Sequence, residues 1–268
     1  MSEKYDILVV EDEPVVLAAI RKIIESEHIA MDEALDTKSA LSKLKRNTYA
    51  LVISDLMLPR ISGLDLIQSI KEDFPCVPVV VITGYATLEK ALQSFKIGSF
   101  DFIPKPFDTE VFLGVLHRGL NYSRAMQGKD PHQRTFIHIL DANETVCSAG
   151  TRYCLGCHAQ IMFEETGTAL VGVGETFPGM MGDLSHMDIL VSREEITQGK
   201  CCAQFVTKEG LVNMFWAPLS GKIETGNDDL DKDIRLIDSD PYDKGWLFRI
   251  APYNFEEEVQ YLTRCERK

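Results

Sequence analysis

Residues 51–63, with the sequence LVISDLMLPRISG, decide the fold of the first part of the chain. With Ala50 in front, they begin as an apolar run that stops at the acidic Asp55. A short apolar run of this kind is typical of a strand buried on both faces of a parallel sheet. Residues with helical spacing follow, over Gly63–Lys71. The segment therefore predicts a buried strand, an acidic strand end and a helix.

Three more apolar runs also end at polar or charged residues. They are Ile7–Val10, followed by Glu11 and Asp12; Val77–Ile82, followed by Thr83; and Phe100–Ile103, followed by Pro104, Lys105 and Pro106. Helical patterns separate these runs, at Thr37–Leu44, Leu88–Phe95, Thr109–Tyr122 and in the residues after Pro14. Alternating strands and helices predict an α/β domain with a parallel sheet. Ligands of such sheets bind beyond the carboxyl ends of the strands.

The side chains at these strand ends suit phosphoryl transfer. Glu11, Asp12 and Asp55 would repel one another without a cation, and carboxylate oxygens are ligands that Mg²⁺ accepts. Beside a divalent cation, an aspartate can act as a nucleophile and form an acyl phosphate. Lys105 supplies positive charge for the phosphoryl oxygens, and Thr83 supplies a hydroxyl donor. The alternative is that these groups are ordinary solvated loop residues.

The motifs ILVVEDEP, LVISDLMLPRISG, VVVITGYA and DFIPKPF resemble the receiver domain of bacterial response regulators, over residues 5–122. The resemblance implies a flavodoxin-like, doubly wound parallel sheet of five strands in the order 2-1-3-4-5. It implies phosphorylation of Asp55 by a sensor histidine kinase. It also implies a surface near Leu88–Phe107 that repacks on phosphorylation and contacts a partner, a second copy of the chain or the second domain.

The same resemblance implies roles for the other site residues. The Mg²⁺ ligands are Asp12, Asp55 and the backbone carbonyl of Met57, with help from Glu11. The switch residues are Thr83 and Phe102, and Lys105 contacts the phosphoryl group. The alternative within this family is a receiver that folds but is never phosphorylated.

A polar segment divides the chain after the last predicted helix. We predict a receiver domain over residues 1–123, a linker over 124–134 and a second domain over 135–268. Strand-like stretches in the second domain are Thr168–Val173, Met187–Val191, Ala203–Thr207 and Lys222–Thr225. They predict a mostly β domain, and only the tail, Phe255–Cys265, has a helical pattern.

Three stretches of the second domain resemble the H protein of the glycine cleavage system, a relative of lipoyl domains. They are ALVGVGETFPGMMGDLSHMDILV (169–191), WAPLSGKIETGNDDL (216–230) and LIDSDPYDKGWLFRI (236–250). The resemblance covers about residues 168–255. It implies a lipoyl-type β barrel-sandwich of short strands.

The lysine that carries lipoate in that family is missing from its expected position. The family places it at a hairpin tip, eight residues before the proline of a Pro-x-Ser-Gly turn. Counting back from Pro218 gives Gly210, and the nearest lysine is Lys208, in the segment FVTKEG. We therefore expect a domain that kept the fold and serves as a signalling output, with Lys208 unmodified. Lipoylation of Lys208 is the alternative.

A cysteine-rich segment lies at the start of the second domain. Cys147, Cys154, Cys157 and His158 include a Cys-x-x-Cys spacing that suits Zn²⁺, although a second ligand pair at a usual spacing is missing. The Cys-x-x-Cys-His string also matches a haem attachment site, and Cys154 with Cys157 could form a redox pair. We expect reduced, unliganded thiols, with zinc as the first alternative.

Charge and composition exclude several functions. The net charge is −13, and both halves of the chain are acidic, which argues against nucleic acid as a partner. We expect a cytoplasmic protein with no membrane partner, because no apolar stretch has the length of a membrane span or signal peptide. The sequence predicts a response regulator with a non-DNA-binding output domain, not an enzyme beyond its own phosphorylation and dephosphorylation. A phosphorylation-regulated lipoyl carrier is the alternative.

Overall fold

The structure is a computed structural model that describes residues 6–84, 88–126, 150–174, 177–190, 195–241 and 243–265. Most of the predicted linker and Cys147 lie outside these residues. The chain forms two compact units, and each is described by itself. Among the described residues, no helix has both the length and the apolar character needed to cross a bilayer.

The first unit alternates strands and helices. Its strands are Ile7–Val10 (β1), Met31–Ala34 (β2), Leu51–Asp55 (β3), Val79–Thr83 (β4) and Asp101–Pro104 (β5). The helices that lie between and after these strands in the chain are Pro14–Ser26 (α1), Thr37–Leu44 (α2), Gly63–Asp73 (α3), Leu88–Lys96 (α4) and Thr109–Met126 (α5). Helix α5 therefore continues into the predicted linker.

The five strands form one parallel sheet in the order β2-β1-β3-β4-β5. This confirms the predicted doubly wound sheet. Every residue of β1, β3 and β4 is buried, as expected for strands covered by helices on both faces. Asp55 lies opposite Ile82, and Thr83 lies opposite Pro104. The polar ends of neighbouring strands therefore meet at one edge of the sheet.

Local sequence explains how α3 begins beside that edge. The Oγ of Ser62 accepts a hydrogen bond from the backbone N–H of Leu64 at 3.2 Å, which caps the first turn. Gly63 is the first helical residue, and a Cβ there would lie 2.3 Å from the carbonyl oxygen of Asp55 and 2.6 Å from the Cα of Leu56. Only glycine lets α3 start directly against the end of β3.

The second unit is built mainly from short strands. They are Arg152–Leu155 (β6), Ala159–Phe163 (β7), Ala169–Val173 (β8), Leu184–Ile189 (β9), Glu195–Ile196 (β10), Cys201–Thr207 (β11), Val212–Trp216 (β12), Gly221–Gly226 (β13), Trp246–Pro252 (β14) and Thr263–Cys265 (β15). Its helices are single turns, at Pro178–Met181 (α6), Asp229–Lys232 (α7), Leu236–Ser239 (α8) and Phe255–Glu258 (α9).

These strands form two antiparallel sheets. Seven strands have the order β10-β13-β14-β8-β7-β6-β15, and three have the order β12-β11-β9. Phe177, Phe205 and Phe215 pack edge to face with ring centroids 5.9 to 6.4 Å apart, and all three are fully buried. The mostly β architecture confirms the predicted fold class of the second domain.

The C-terminal tail differs from the predicted helix over Phe255–Cys265. The helical turn of α9 is followed by a 3₁₀ turn, Val259–Tyr261, and then by strand β15, so the prediction is wrong for the last residues. The ring of Phe255 packs against Tyr153 and Phe163, with centroids 5.1 and 4.7 Å away. Because Leu262 is also buried, the chain is held at the sheet, where β15 pairs with β6.

Candidate functional site

The carboxylate of Asp55 is the centre of the site in the first unit. Asp55 is the last residue of β3 and is 3% exposed. Its Oδ1 accepts a hydrogen bond from the backbone N–H of Met57 at 2.9 Å. Its Oδ2 lies 2.6 Å from the Nζ of Lys105. The two carboxylate oxygens are therefore oriented by different partners. Met57 lies in the loop after β3, and Lys105 directly follows β5.

Lys105 joins the strand ends electrostatically. Its Nζ lies 2.7 Å from the Oε2 of Glu11 and 3.6 Å from the Oε1 of Glu13, in addition to its contact with Asp55. The backbone N–H of Lys105 donates to the carbonyl of Thr83 at 2.9 Å. The Lys105–Pro106 peptide bond is cis. One ammonium group thus contacts three carboxylates.

Three carboxylates form a group that could hold a metal ion. Oxygens of Glu11, Glu13 and Asp55 all lie within 4.8 Å of one another, and no other such group of three occurs in the described part of the chain. Oxygen donors of this kind suit a hard cation such as Mg²⁺. Glu13 was not anticipated from the sequence. Asp12 is exposed and outside the group, and its role as a ligand stays a prediction.

Burial and charge shift two pKa values in the site. Burial raises the pKa of Glu11, and the negative charge of Asp55 adds to this, while contacts with Lys105 oppose it. Burial acts to lower the pKa of Lys105, but its hydrogen bonds to Asp55 and Glu11 raise it above the ordinary value. Lys105 therefore stays charged, and a second positive charge would relieve the repulsion at Glu11.

Thr83 is the last residue of β4, the strand that neighbours the β3 strand of Asp55, and Phe102 lies within β5, on the far side of β4. Thr83 is fully buried, and its Oγ1 has no hydrogen-bond partner among the described residues. A buried hydroxyl without a partner is costly, so it is a ready donor for an oxygen that enters the site. Phe102, on β5, is 5% exposed and lies opposite Val81 of β4.

Lys208 lies in the hairpin turn between β11 and β12 of the second unit. Its Nζ lies 3.0 Å from the Oδ2 of Asp183, and its backbone N–H donates to the Asp183 carbonyl at 2.9 Å. Gly210 lies in the same turn with φ of +83°. Lys208 also borders a groove of about 760 Å³ with residues of β9, α7 and α8.

Three of the four predicted zinc ligands, Cys154, Cys157 and His158, lie among the described residues. Cys154 is bonded to Cys265 in a disulfide, with Cα atoms 6.4 Å apart, so the expectation of a reduced thiol is wrong for Cys154. A bonded sulfur offers no thiolate, so Cys154 is not a zinc ligand while this bond is present, and zinc at the other predicted ligands stays a prediction. His158 is fully buried, with its ring 4.8 Å from that of Phe177. The remaining candidate, Cys147, lies outside the described residues.

The fold and the acidic strand-end site define the first unit as a receiver domain. The family model of the response regulator receiver domain matches residues 7–117. The family model of the glycine cleavage H-protein matches residues 152–268. The chain therefore combines a receiver domain with an H-protein domain, as the sequence motifs predicted.

Curated relatives match through the receiver domain. The nitrogen assimilation regulatory protein NtrX of Azorhizobium caulinodans is 35% identical over 122 residues, which are 45% of this chain and 27% of that protein. The response regulator protein PilR of Pseudomonas aeruginosa is 38% identical over 101 residues, 38% of this chain and 23% of that protein. The response regulator ArlR of Staphylococcus saprophyticus is 35% identical over 133 residues, 50% of this chain and 56% of that protein. The chain thus spans between about a quarter and about half of the length of these relatives.

Solved structures match the same part of the chain. The receiver domain of NtrX from Brucella abortus is 36% identical and covers 43% of this chain and 98% of its own, with a TM-score of 0.42. The beryllofluoride-activated NtrC4 receiver domain dimer is 30% identical and covers 44% of this chain and 98% of its own, with a TM-score of 0.43.

Proposed function

We propose that the chain is a two-component response regulator that accepts a phosphoryl group on Asp55 from a sensor histidine kinase. The observation that carries the proposal is the contact of one buried carboxylate, Asp55, with the ammonium group of Lys105 beside a second buried acid, Glu11. In the reaction, a carboxylate oxygen of Asp55 bonds to phosphorus as the bond from phosphorus to the imidazole nitrogen of the kinase breaks.

The residues around Asp55 have separate tasks in this transfer. Lys105 keeps its positive charge beside the phosphoryl oxygens, and the backbone N–H of Met57 holds the other carboxylate oxygen in place. Mg²⁺, held by Asp55 and acidic residues at the end of β1, would supply further positive charge for the transferring group. The proposed ligand set includes Glu11, Asp12, Asp55 and the Met57 carbonyl, and Glu13 is added on its position.

The proposed switch begins at Thr83. Its hydroxyl, which has no partner among the described residues, would donate to an oxygen of the phosphorylated Asp55, and this would satisfy a buried donor. The movement of Thr83 changes the space beside Phe102 and repacks the surface near Leu88–Phe107. That surface would then bind a second copy of the chain or another output partner.

Transfer from a small-molecule phosphodonor tests the acceptor role. The wild-type chain should take up label from a radioactive phosphoramidate in the presence of Mg²⁺ and lose this uptake in EDTA. Asp55→Asn should take up none, whereas Asp65→Asn, which changes an exposed aspartate at the start of α3, should behave like the wild type. Equal labelling of Asp55→Asn would disprove the assignment.

The H-protein domain is proposed as a non-DNA-binding output module. Its alternative role as a lipoyl carrier is favoured by one observation, because Lys208 lies in a hairpin turn and borders the 760 Å³ groove. Incubation with a lipoate ligase, lipoate and ATP distinguishes the two roles. Addition of one lipoyl group to the wild type but not to Lys208→Arg would establish the carrier role, and an unchanged mass would favour the output role.

A further inference from the structure

The Cys154–Cys265 disulfide lies at the outer edge of the seven-stranded sheet. Cys154 is on β6 opposite Thr263, and Cys265 is on β15 opposite Arg152, so the bond runs diagonally between the two strands. It connects positions 111 residues apart in the chain. Both cysteines are partly exposed, so a thiol from solution can reach the bond.

Strand β15 depends on this bond more than its neighbours do. It has three residues, all partly exposed, and β6 is its one partner among the described strands. The chain before it is held independently, because Phe255 packs into the aromatic cluster with Tyr153 and Leu262 is buried. Opening the disulfide would therefore release β15 while the rest of the sheet stays folded.

Two further cysteines of the second unit, Cys201 and Cys202, are free thiols at adjacent positions of β11. Burial raises the pKa of Cys201 and of Cys202, so these two remain protonated and are poor nucleophiles. In a reducing compartment, a disulfide that persists beside free thiols is usually catalytic or redox-sensing.

We propose that Cys154–Cys265 is a reversible redox site whose reduction by a thiol releases the C-terminal strand β15. The thiolate of a dithiol reductant attacks one sulfur and forms a mixed disulfide, and the other cysteine leaves as a thiolate. The second thiol of the reductant then resolves the mixed disulfide. Two electrons and two protons pass to Cys154 and Cys265, and the reductant becomes a disulfide.

The test uses the full-length wild-type protein in dithiothreitol redox buffers, with alkylation and peptide mass mapping. Cys154 and Cys265 should become alkylated together as a single two-electron couple and should re-form their bond on oxidation. Hydrogen exchange of residues 263–265 and of β6 should rise at least tenfold on reduction, with exchange in β8 and β14 unchanged. Cys157→Ser should show the same couple, and Cys265→Ser should show fast exchange of its last residues in both buffers.

Three outcomes would overturn the proposal. Oxidation could join Cys154 to Cys157 or to Cys147 rather than to Cys265. The bond could resist reduction in the folded protein, which would make it a permanent cross-link. Reduction could also speed exchange across β8 and β14, which would show that the bond holds the whole domain and not one strand.

Discussion

At the scale of the residue, the proposed function depends on how charge is balanced around Asp55. One ammonium group, that of Lys105, compensates carboxylates that are otherwise buried or crowded. A divalent cation would act on the same carboxylates, and Lys105 would then be left to act on the incoming phosphoryl group. The site thus combines one fixed positive charge, that of Lys105, with carboxylates that could bind a divalent cation.

Replacing Lys105 by methionine should separate its effect on phosphoryl transfer from its effect on Mg²⁺ binding. Phosphorylation of Lys105→Met should be slower by about tenfold or more, because a group that stabilises the developing charge is lost. Mg²⁺ should bind at least as tightly as to the wild type, because the ammonium group no longer opposes the cation. Phosphorylation rates and a Mg²⁺ titration by fluorescence measure both. Lys22→Met, on the exposed face of α1, is the control and should change neither.

Gly63→Ala should damage the same site through the backbone. The added Cβ would lie 2.3 Å from the carbonyl oxygen of Asp55, so α3 or the end of β3 must move. We expect a loss of about 1–3 kcal/mol in the free energy of unfolding and slower phosphorylation. Urea denaturation measures the loss in the free energy of unfolding. Gly179→Ala, where a Cβ meets nothing within 4 Å, is the control, and an equal effect there would refute the steric explanation.

At the scale of the element, side-chain contacts join the short segments of the second domain. The Nε2 of Gln198, between β10 and β11, donates to the carbonyls of Pro218 at 2.9 Å and Glu258 at 3.1 Å. Its backbone N–H donates to the Oγ of Ser220, and the backbone N–H of Ser220 donates to the carboxylate of Glu258. The loop that contains Gln198, the turn of Pro218 and Ser220, and helix α9 are thereby held together.

Gln198→Leu should destabilise the domain. The carbonyls of Pro218 and Glu258 would lose their donor in a buried setting, which costs about 1–3 kcal/mol in the free energy of unfolding. Thermal or urea unfolding measures the loss. Gln260→Leu removes a hydrogen bond that is exposed, and it should cost much less. Equal effects of the two changes would contradict the account.

The ion pair between Glu164, after β7, and Arg249 of β14 should respond to pH. The hydrogen bond from Arg249 lowers the pKa of Glu164 below 4.5, so folding favours the carboxylate. Its contribution to stability is therefore complete above pH 4.5 and is lost as the pH falls through the lowered pKa. Because both side chains are partly exposed, this contribution is below about 1 kcal/mol.

Unfolding of wild type and Glu164→Gln at several pH values measures this effect. The difference between their free energies of unfolding should shrink as the pH falls below 4.5. Glu165→Gln, at the next position, is the control. A difference that stays constant in acid would show that the carboxylate charge of Glu164 is not involved.

At the scale of the whole molecule, the sequence predicted most of the parallel sheet and the residues at its polar edge, because buried parallel strands are apolar and end abruptly. Strand β2 was not predicted from the sequence, because three of the four residues of Met31–Ala34 are partly exposed and two are acidic, so the segment is not an apolar run. The proximity of Glu13 to Asp55 depends on the path of the chain before α1. Spacing alone could not reveal the partner of Cys154, which lies 111 residues away.

The tail shows another limit of sequence patterns. Phe255–Cys265 has apolar residues at helical spacing, but Leu262 is anchored in the core and Thr263–Cys265 pairs with the edge of a sheet. Tertiary contacts decided between helix and strand in these last residues. A short strand with one neighbour leaves too weak a pattern to be recognised from sequence.

Phosphorylation should also change the assembly of the molecule. If the surface near Leu88–Phe107 repacks and pairs two copies, phosphodonor with Mg²⁺ should shift the wild type from monomer towards dimer in light scattering. Asp55→Asn should keep one mass under both conditions. A wild-type mass that is also unchanged by phosphorylation would exclude a second copy as the partner.

The most direct test of the central claim is the chemical location of the phosphoryl group. The chain is phosphorylated with Mg²⁺ present, the acyl phosphate is reduced with borohydride, and peptides are sequenced by mass spectrometry. We predict that the modified aspartate, converted to homoserine, is Asp55 alone. Homoserine at Asp12 or at any other aspartate, or no homoserine in a chain that has taken up phosphate, would contradict the account.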